Sequence, residues 1–192
     1  MAIEYLRLSR TEFSLCLPYA VEVFITAMGY PPGSRQYFIE AWRRDTLRPG
    51  FHAFCAYDDH GIAGICYGFI STPDHWWNKE IQRGLAENYA SAAILEQYRT
   101  FFEFAELHVH PRVQGQGVGH FLAEALISAT SQHQILLSTP EVAAEDNRAF
   151  RLYRSLGFFD VLRNFLFAHD DRPFAVLGYK QTGADIGTLP TS

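Results

Sequence analysis

Between Pro111 and Gly119 the chain reads Pro-Arg-Val-Gln-Gly-Gln-Gly-Val-Gly, with glycines at 115, 117 and 119. Without side chains there, a ligand can come directly against the main chain. Val118, Phe121, Leu122, Ala125, Leu126 and Ala129 keep the i, i+3, i+4, i+7 spacing of an amphipathic helix, and the apolar run Phe101 to Val109 reads as a strand leading into the turn. The first N–H groups of a helix have no internal partner, and the helix dipole places partial positive charge at that end. Strand, glycine turn and helix therefore make an anion site suited to a phosphate or pyrophosphate. A nucleotide P-loop is excluded because no Gly-Lys-Ser/Thr follows the glycines. A dinucleotide fingerprint needs Gly or Ala where His120 stands and usually opens its domain; only Glu141, about twenty residues on, favours it. The spacing that fits is Gln-x-x-Gly-x-Gly, from Gln114 through Gly117 to Gly119.

The strand before the turn carries the titratable groups. Glu103 and Glu106 interrupt Phe101-Phe102-Glu103-Phe104-Ala105-Glu106-Leu107-His108-Val109. Three apart, they face opposite sides of a regular strand, so only one lines a groove unless a bulge intervenes. Glu106 shares parity with His108 and opposes Leu107 and Val109, whose side chains are expected to pack on the following helix. His108 and His110 alternate to one side as two zinc ligands can, but no third ligand stands nearby and Pro111 ends the strand. No metal is expected; His108 reads better as a substrate-side or proton-shuttling group. The chain has no Gly-x-Ser-x-Gly and no Cys/His pairing suited to an acyl-enzyme, which favours direct transfer.

These groups must be held by elements that patterning predicts. Ile3 to Leu8 alternates as a first strand; Thr11 caps a helix to about Met28, stopped by Gly29 and Pro31-Pro32; Ser34 to Arg44 is a second helix. Phe51 to Tyr57 and Ile62 to Ser71 are strands around the turn Asp58-Asp59-His60-Gly61. A helical excursion over 72–100, with Trp76, Trp77, Ile81, Leu85 and Tyr89 at helical spacing, precedes the glutamate strand. Trp76 and Trp77 either wall an acceptor pocket or pack this helix. Ile135 to Ser138 is a short strand, with Glu141 either reaching the acceptor site or ending it. Asp146 or Asn147 caps a helix ended by Gly157, and Val161 to Ala168 with Phe174 to Tyr179 form a last hairpin. Residues 1–180 read as one domain and 181–192 as a small, polar, flexible tail.

The Gln114–Gly119 motif, with Leu107-x-Val109 before it and a helix after it, resembles the acetyl-CoA signature of the GCN5-related N-acetyltransferases (GNAT). A second segment, Asn147-x-x-x-x-x-Tyr153-Arg154-Ser155-Leu156-Gly157-Phe158, is similar to that family's second cofactor segment, with its alanine displaced to Ala149. The element order matches as well, so the resemblance covers most of the chain and is strongest from Phe101 to Phe159. It implies an α+β fold of three layers, α/β/α, around a splayed, mixed, mostly antiparallel sheet of about seven strands.

The resemblance also implies a chemistry. Acetyl-CoA is the cosubstrate and an amine, on a small molecule or a peptide, the acceptor. Backbone groups of Leu107, His108 and Val109 pair with the pantetheine arm, and the Val109 N–H polarises the thioester oxygen. Gln114, Gly115, Gln116, Gly117, Val118 and Gly119 cradle the pyrophosphate, Asn147 contacts pantetheine, and one of Arg148, Arg151 or Arg154 approaches the adenosine phosphates. Tyr153 is the general acid, although spacing alone would make it a packing residue of an amphipathic helix. Glu106 is the favoured base, acting directly or through water, and Glu103 is the second candidate; an edge carboxylate in solvent is the bland reading. Two rival functions remain in view: a non-catalytic acyl-CoA sensor on the same fold, and a dinucleotide-dependent oxidoreductase.

Composition bounds the partners. At 192 residues and 48% hydrophobic the chain can bury one good core. A formal charge of −5 with no basic run gives no reason to expect nucleic acid. Cys16, Cys55 and Cys66 form no CxxC pair and read as buried thiols in a reducing compartment. No signal peptide and no window of roughly 18 apolar residues is read, so neither a membrane nor secretion is expected and the location expected is cytoplasmic. A homodimer is compatible with the sequence.

Overall fold

A computed structural model describes residues 2–88 and 90–181; Tyr89 and the tail beyond Gln181 lie outside the described residues. Strands β1 (Glu4–Leu8), β2 (His52–Asp58), β3 (Gly61–Ser71), β4 (Phe101–Val109), β5 (Gln134–Pro140), β6 (Phe159–Leu166) and β7 (Pro173–Lys180) form one sheet in the order β1-β2-β3-β4-β5-β7-β6. Neighbours are antiparallel except β4 and β5, which run parallel and pair only at Phe102 with Ile135 and Glu103 with Leu136. Beyond those pairs the two strands part. The sheet is therefore seven-stranded, mixed and splayed, as the resemblance implied.

Helices cover both faces. On one face α1 (Arg10–Met28) and α2 (Arg35–Asp45) set Phe13, Leu17, Phe24 and Trp42 against Ile65, Tyr67 and Phe69. The 72–100 segment forms α3 (Trp76–Glu87) and α4 (Ala92–Gln97); Trp77 and Ile81 pack on Phe101, Leu136 and Val176. On the other face α5 (Val118–Ala129) and α6 (Arg148–Ser155) bring Leu122, Leu126 and Phe150 onto Cys66, Phe102, Phe104 and Ile135. Burying each such large apolar side chain stabilises the fold by about 1.5–3 kcal/mol.

Several local expectations change. Ser9, not Thr11, caps α1: its hydroxyl accepts from the Glu12 N–H while the Glu12 carboxylate accepts from the Ser9 N–H. By length and composition α1 does pass the test for a membrane-crossing helix, contrary to the sequence reading. Its apolar side is instead laid on the sheet, where Phe13, Leu17, Ala20 and Val21 are fully buried. Trp77 is a packing residue between Phe101 and Phe167, and Trp76 is half exposed beside Phe167, so neither walls the cavity described below.

The largest correction concerns the glutamates. Across β3–β4 the register runs Tyr67 to Glu106 and then Gly68 to Phe104, leaving Ala105 as an extra residue in β4. This bulge turns Ala105 and Glu106 to the same side, so Glu103, Glu106 and His108 all face α1 and α2 while Phe102, Phe104, Leu107 and Val109 face α5 and α6. Gly68 permits it: a Cβ there would collide with the Glu103 carbonyl oxygen.

Candidate active site

A cavity of about 490 Å³ opens where β4 and β5 separate. It is lined by the end of β4 (Leu107, His108, Val109), the glycine turn (Gln114, Gly115, Gly117), the start of α5 (Val118, Gly119, His120), part of α6 (Arg148, Arg151, Tyr153) and the end of α1 (Ala27, Met28). Its size suits a cosubstrate arm.

The wall at β4 is main chain. The His110 N–H donates to Ala63 on β3 at 2.8 Å, so by strand alternation the Val109 and Leu107 backbone groups point the other way, into the splay. No β5 residue pairs with them, and an extended ligand can add there as a strand would.

The floor is the glycine turn. Gly115 and Gly117 sit at φ +80° and +83°, a region that suits glycine, and neither has an atom within 4 Å of where a Cβ would be. The first intrahelical bond of α5 runs from Phe121 N–H to Gly117 C=O at 3.0 Å, which leaves the N–H groups of Val118, Gly119 and His120 without a helical partner at the cavity edge. Gln116 is the exception in the motif: it lies off the cavity, its side chain donating to the Arg112 carbonyl at 3.4 Å.

Two braces hold this turn, and sequence reasoning found neither. Gln114 donates to the Val109 carbonyl at 2.9 Å and accepts from Arg148 at 2.6 Å, tying strand, turn and α6 together. Arg112 grips the fully buried Asp58 carboxylate with two bonds of 3.0 and 3.1 Å and also donates to the Ile62 carbonyl. That guanidinium holds the Asp58 carboxyl below the usual range. One of two aspartates in a hairpin turn and an Arg fifty-four residues later carry no pattern that would pair them.

On α6, Tyr153 is buried between Phe104 and Phe158 and reaches the cavity. Burial, and after it the Glu106 carboxylate, push its phenol well above the ordinary value, so it holds its proton at neutral pH. Asn147 does cap α6, its side-chain oxygen accepting from the Phe150 N–H at 2.8 Å; it does not line the cavity, and only its amide NH₂ is left for a ligand. Of the three arginines, Arg148 and Arg151 line the cavity. Arg154 turns away, tied to Glu145 and Asp160, and is withdrawn as a phosphate contact.

Behind β4, Glu106 accepts from His108 Nε2 at 2.6 Å, and the His108 ring packs on Phe24 and Trp42. Glu106 itself does not line the cavity; it touches His108, which does, and its charge adds to the upward shift of the Tyr153 phenol. Glu103 lies deeper, 3.1 Å from His75 Nδ1. His110 is spent locally, accepting from the Arg112 N–H at 3.2 Å. Glu141 belongs to the far hairpin, where Arg163 holds it with bonds of 2.7 and 2.8 Å; it ends its strand and does not reach the cavity. That removes the acidic residue on which a dinucleotide reading depended. The cysteines are free, and burial raises all three thiols, Cys16 to about 12.

Comparison with known proteins agrees with this geometry. Residues 49–159 match the model of the acetyltransferase (GNAT) domain. The chain is 34% identical over 201 residues to the GCN5-like protein acetyltransferase Rv2170 of Mycobacterium tuberculosis, spanning 93% of this chain and 98% of that protein. The fold is shared with the ribosomal-protein-S18-alanine N-acetyltransferase of Escherichia coli (17% identity, 98% and 99% of the chains covered, TM-score 0.58). It is shared too with yncA of Salmonella typhimurium, solved with its cofactor acetyl-CoA (13% identity, 96% and 97% covered, TM-score 0.58). A splayed sheet whose parted strands face a glycine turn, a match over the same residues and a relative matched over nearly the whole of both chains lead to one conclusion: the chain belongs to the GNAT acetyltransferase family.

Proposed function

We propose that this chain is an N-acetyltransferase that moves the acetyl group of acetyl-CoA directly to a primary amine of a small molecule or peptide. The observation that carries the reading is the convergence on one cavity of an unpaired β4 edge, a glycine-turned helix N-terminus and a buried, protonated Tyr153. The unpartnered N–H groups of Val118 to His120 suit a pyrophosphate, with Arg148 and Arg151 beside them for further phosphate charge. The Val109 N–H, aimed into the splay, suits the oxygen of a thioester carbonyl.

The proton bookkeeping closes within these residues. Glu106, directly or through His108, takes the proton that the acceptor ammonium must lose before its nitrogen attacks. The new C–N bond forms at the thioester carbon, the C–S bond breaks, and the Tyr153 hydroxyl gives its proton to the departing sulfur. The second proton that the nitrogen sheds as it becomes an amide restores the Tyr153 hydroxyl from its phenolate, directly or through solvent. His108, with Glu106 behind it, reaches the cavity on the side of α1 and Tyr153 from α6, so base and acid stand on opposite sides of the transfer.

Thermal-shift titration with acetyl-CoA, CoA and NADH, followed by thiol release from acetyl-CoA across a panel of amines, tests the reading. Stabilisation by acetyl-CoA and amine-dependent thiol release are expected, with Glu106→Gln slowing release by roughly 10²-fold. Stabilisation by NADH alone would overturn the proposal. Stabilisation by acetyl-CoA with no release toward any amine would make the protein a sensor instead.

A further inference from the structure

We propose that His108, through its Nδ1, is the base that takes the proton from the acceptor, and that Glu106 is a positioning residue that fixes the tautomer of the ring. The inference rests on the N-acetyltransferase reading and decides which of the two residues meets the substrate.

The geometry separates their roles. His108 lines the cavity and Glu106 does not. One short bond joins them, from His108 Nε2 to Glu106 Oε2 at 2.6 Å. Among the described residues no other side chain donates to the Glu106 carboxylate. Tyr67, its partner across β3 and β4, gives its hydroxyl instead to Asp45 at the end of α2, at 2.9 Å. An ionised carboxylate only accepts, so the ring must present Nε2–H to it. In the neutral imidazole that leaves Nδ1 with a lone pair and no hydrogen.

A lone pair acts as a base only where a ligand can reach it. Among the described residues nothing hydrogen-bonds to His108 Nδ1, yet it is not one of the sealed polar atoms that lack a partner, so it is open. The His108 side chain is only 11% exposed, and Nδ1 is the ring nitrogen nearer the main chain, which at Leu107 to Val109 forms the cavity wall. The ring is also held in its plane. Phe24 meets it edge-on with centroids 4.6 Å apart, and Trp42 lies nearly parallel to it, at 13° and 6.2 Å.

The acceptor ammonium then gives one proton to Nδ1. The imidazolium formed keeps its Nε2–H on the Glu106 carboxylate, whose charge stabilises it. The freed nitrogen attacks the thioester carbon, Tyr153 serves the departing sulfur as above, and His108 passes its proton to solvent. Glu106 stays ionised throughout. To take the proton itself it would have to release His108 and reach past the ring.

The tautomer is tested without reference to activity, by nitrogen NMR of the labelled full chain at mildly alkaline pH, with His108 assigned from the signals lost in His108→Gln. Wild type is expected to carry the hydrogen on Nε2. Glu106→Gln, whose amide can donate to Nε2, should move a large part of the population to the Nδ1–H form. Kinetics follow at saturating acetyl-CoA with any amine that releases thiol. His108→Gln should lose about 10²-fold or more in kcat while its affinity for acetyl-CoA holds within about twofold. The double variant should fall within about threefold of His108→Gln, because the two residues act as a unit. A wild-type ring with its hydrogen on Nδ1, or His108→Gln retaining more than about a third of wild-type kcat, would overturn the inference. So would activity lost in Glu106→Gln with the Nε2–H tautomer unchanged, which would make Glu106 the base. Where His108→Gln does not fold, the tautomers of wild type and Glu106→Gln decide. Those outcomes leave the transferase reading intact; absence of release by wild type with every amine would overturn both.

Discussion

The two faces of β4 serve the same slot with different materials. Toward α5 and α6 the surface offered to a ligand is main chain: the unpaired edge at Leu107 and Val109, and the N–H groups at the head of α5. Toward α1 and α2 it is a side chain, His108, backed by Glu106, with Glu103 deeper on the same face. Main-chain donors are fixed by the fold and tolerate change in most side chains around them, provided that the glycines remain. A side-chain face depends on every residue's identity and on local register. A shared cosubstrate calls for the first kind of surface, and a particular acceptor for the second.

That contrast can be broken from either side. The largest effect is expected at Gly117→Glu, which forces a side chain into the left-handed region and sets a negative charge where the anion site lies. Affinity for acetyl-CoA measured by calorimetry should fall about a hundredfold or more; an unchanged affinity would refute the phosphate assignment. Next is Tyr153→Phe. The ring stays packed between Phe104 and Phe158, so the dissociation constant for acetyl-CoA should hold within about twofold while kcat drops roughly 10²-fold. Loss of binding instead would make Tyr153 a structural residue.

The smallest effect sharpens the acidic side. The Asp45 carboxyl rises from 3.8 to about 6 on folding, so the native state prefers it protonated. A group raised in this way gives its full contribution below its unfolded value and loses it as pH climbs through the folded one. Wild type should therefore lose stability between about pH 4 and 7 at this site, and Asp45→Asn should not. The variant's Tm should match wild type near pH 4 and exceed it by about 2–4 °C at pH 7.5. A variant less stable than wild type at the higher pH would mean that the charged carboxylate is held by a partner.

The same contrast explains what could be read in advance. The glycine turn, the helix after it and the Asn147 cap are local: each is written in residues within a turn or two of one another, where backbone preference and periodicity act directly. The acid cluster is not local. Parity counting put Glu103 and Glu106 on opposite faces, and one unpaired residue, Ala105 opposite the Tyr67–Gly68 step, reversed that. Arg112 with Asp58 and Gln114 with Arg148 are likewise joined only by strand pairing and helix docking.

By itself, then, the sequence determined the order of elements, the glycine turn that frees the head of α5, and the tyrosine placed on α6, because these follow from short-range sterics and the helical and strand repeats. Tertiary structure alone decided that β4 and β5 part after two residue pairs, that a bulge puts Glu103 and Glu106 on one face, that Arg154 faces away while Arg148 and Arg151 face the cavity, and that Glu141 is bound by Arg163. Each of those depends on register and on which surfaces dock, and both are set by packing summed over the whole sheet.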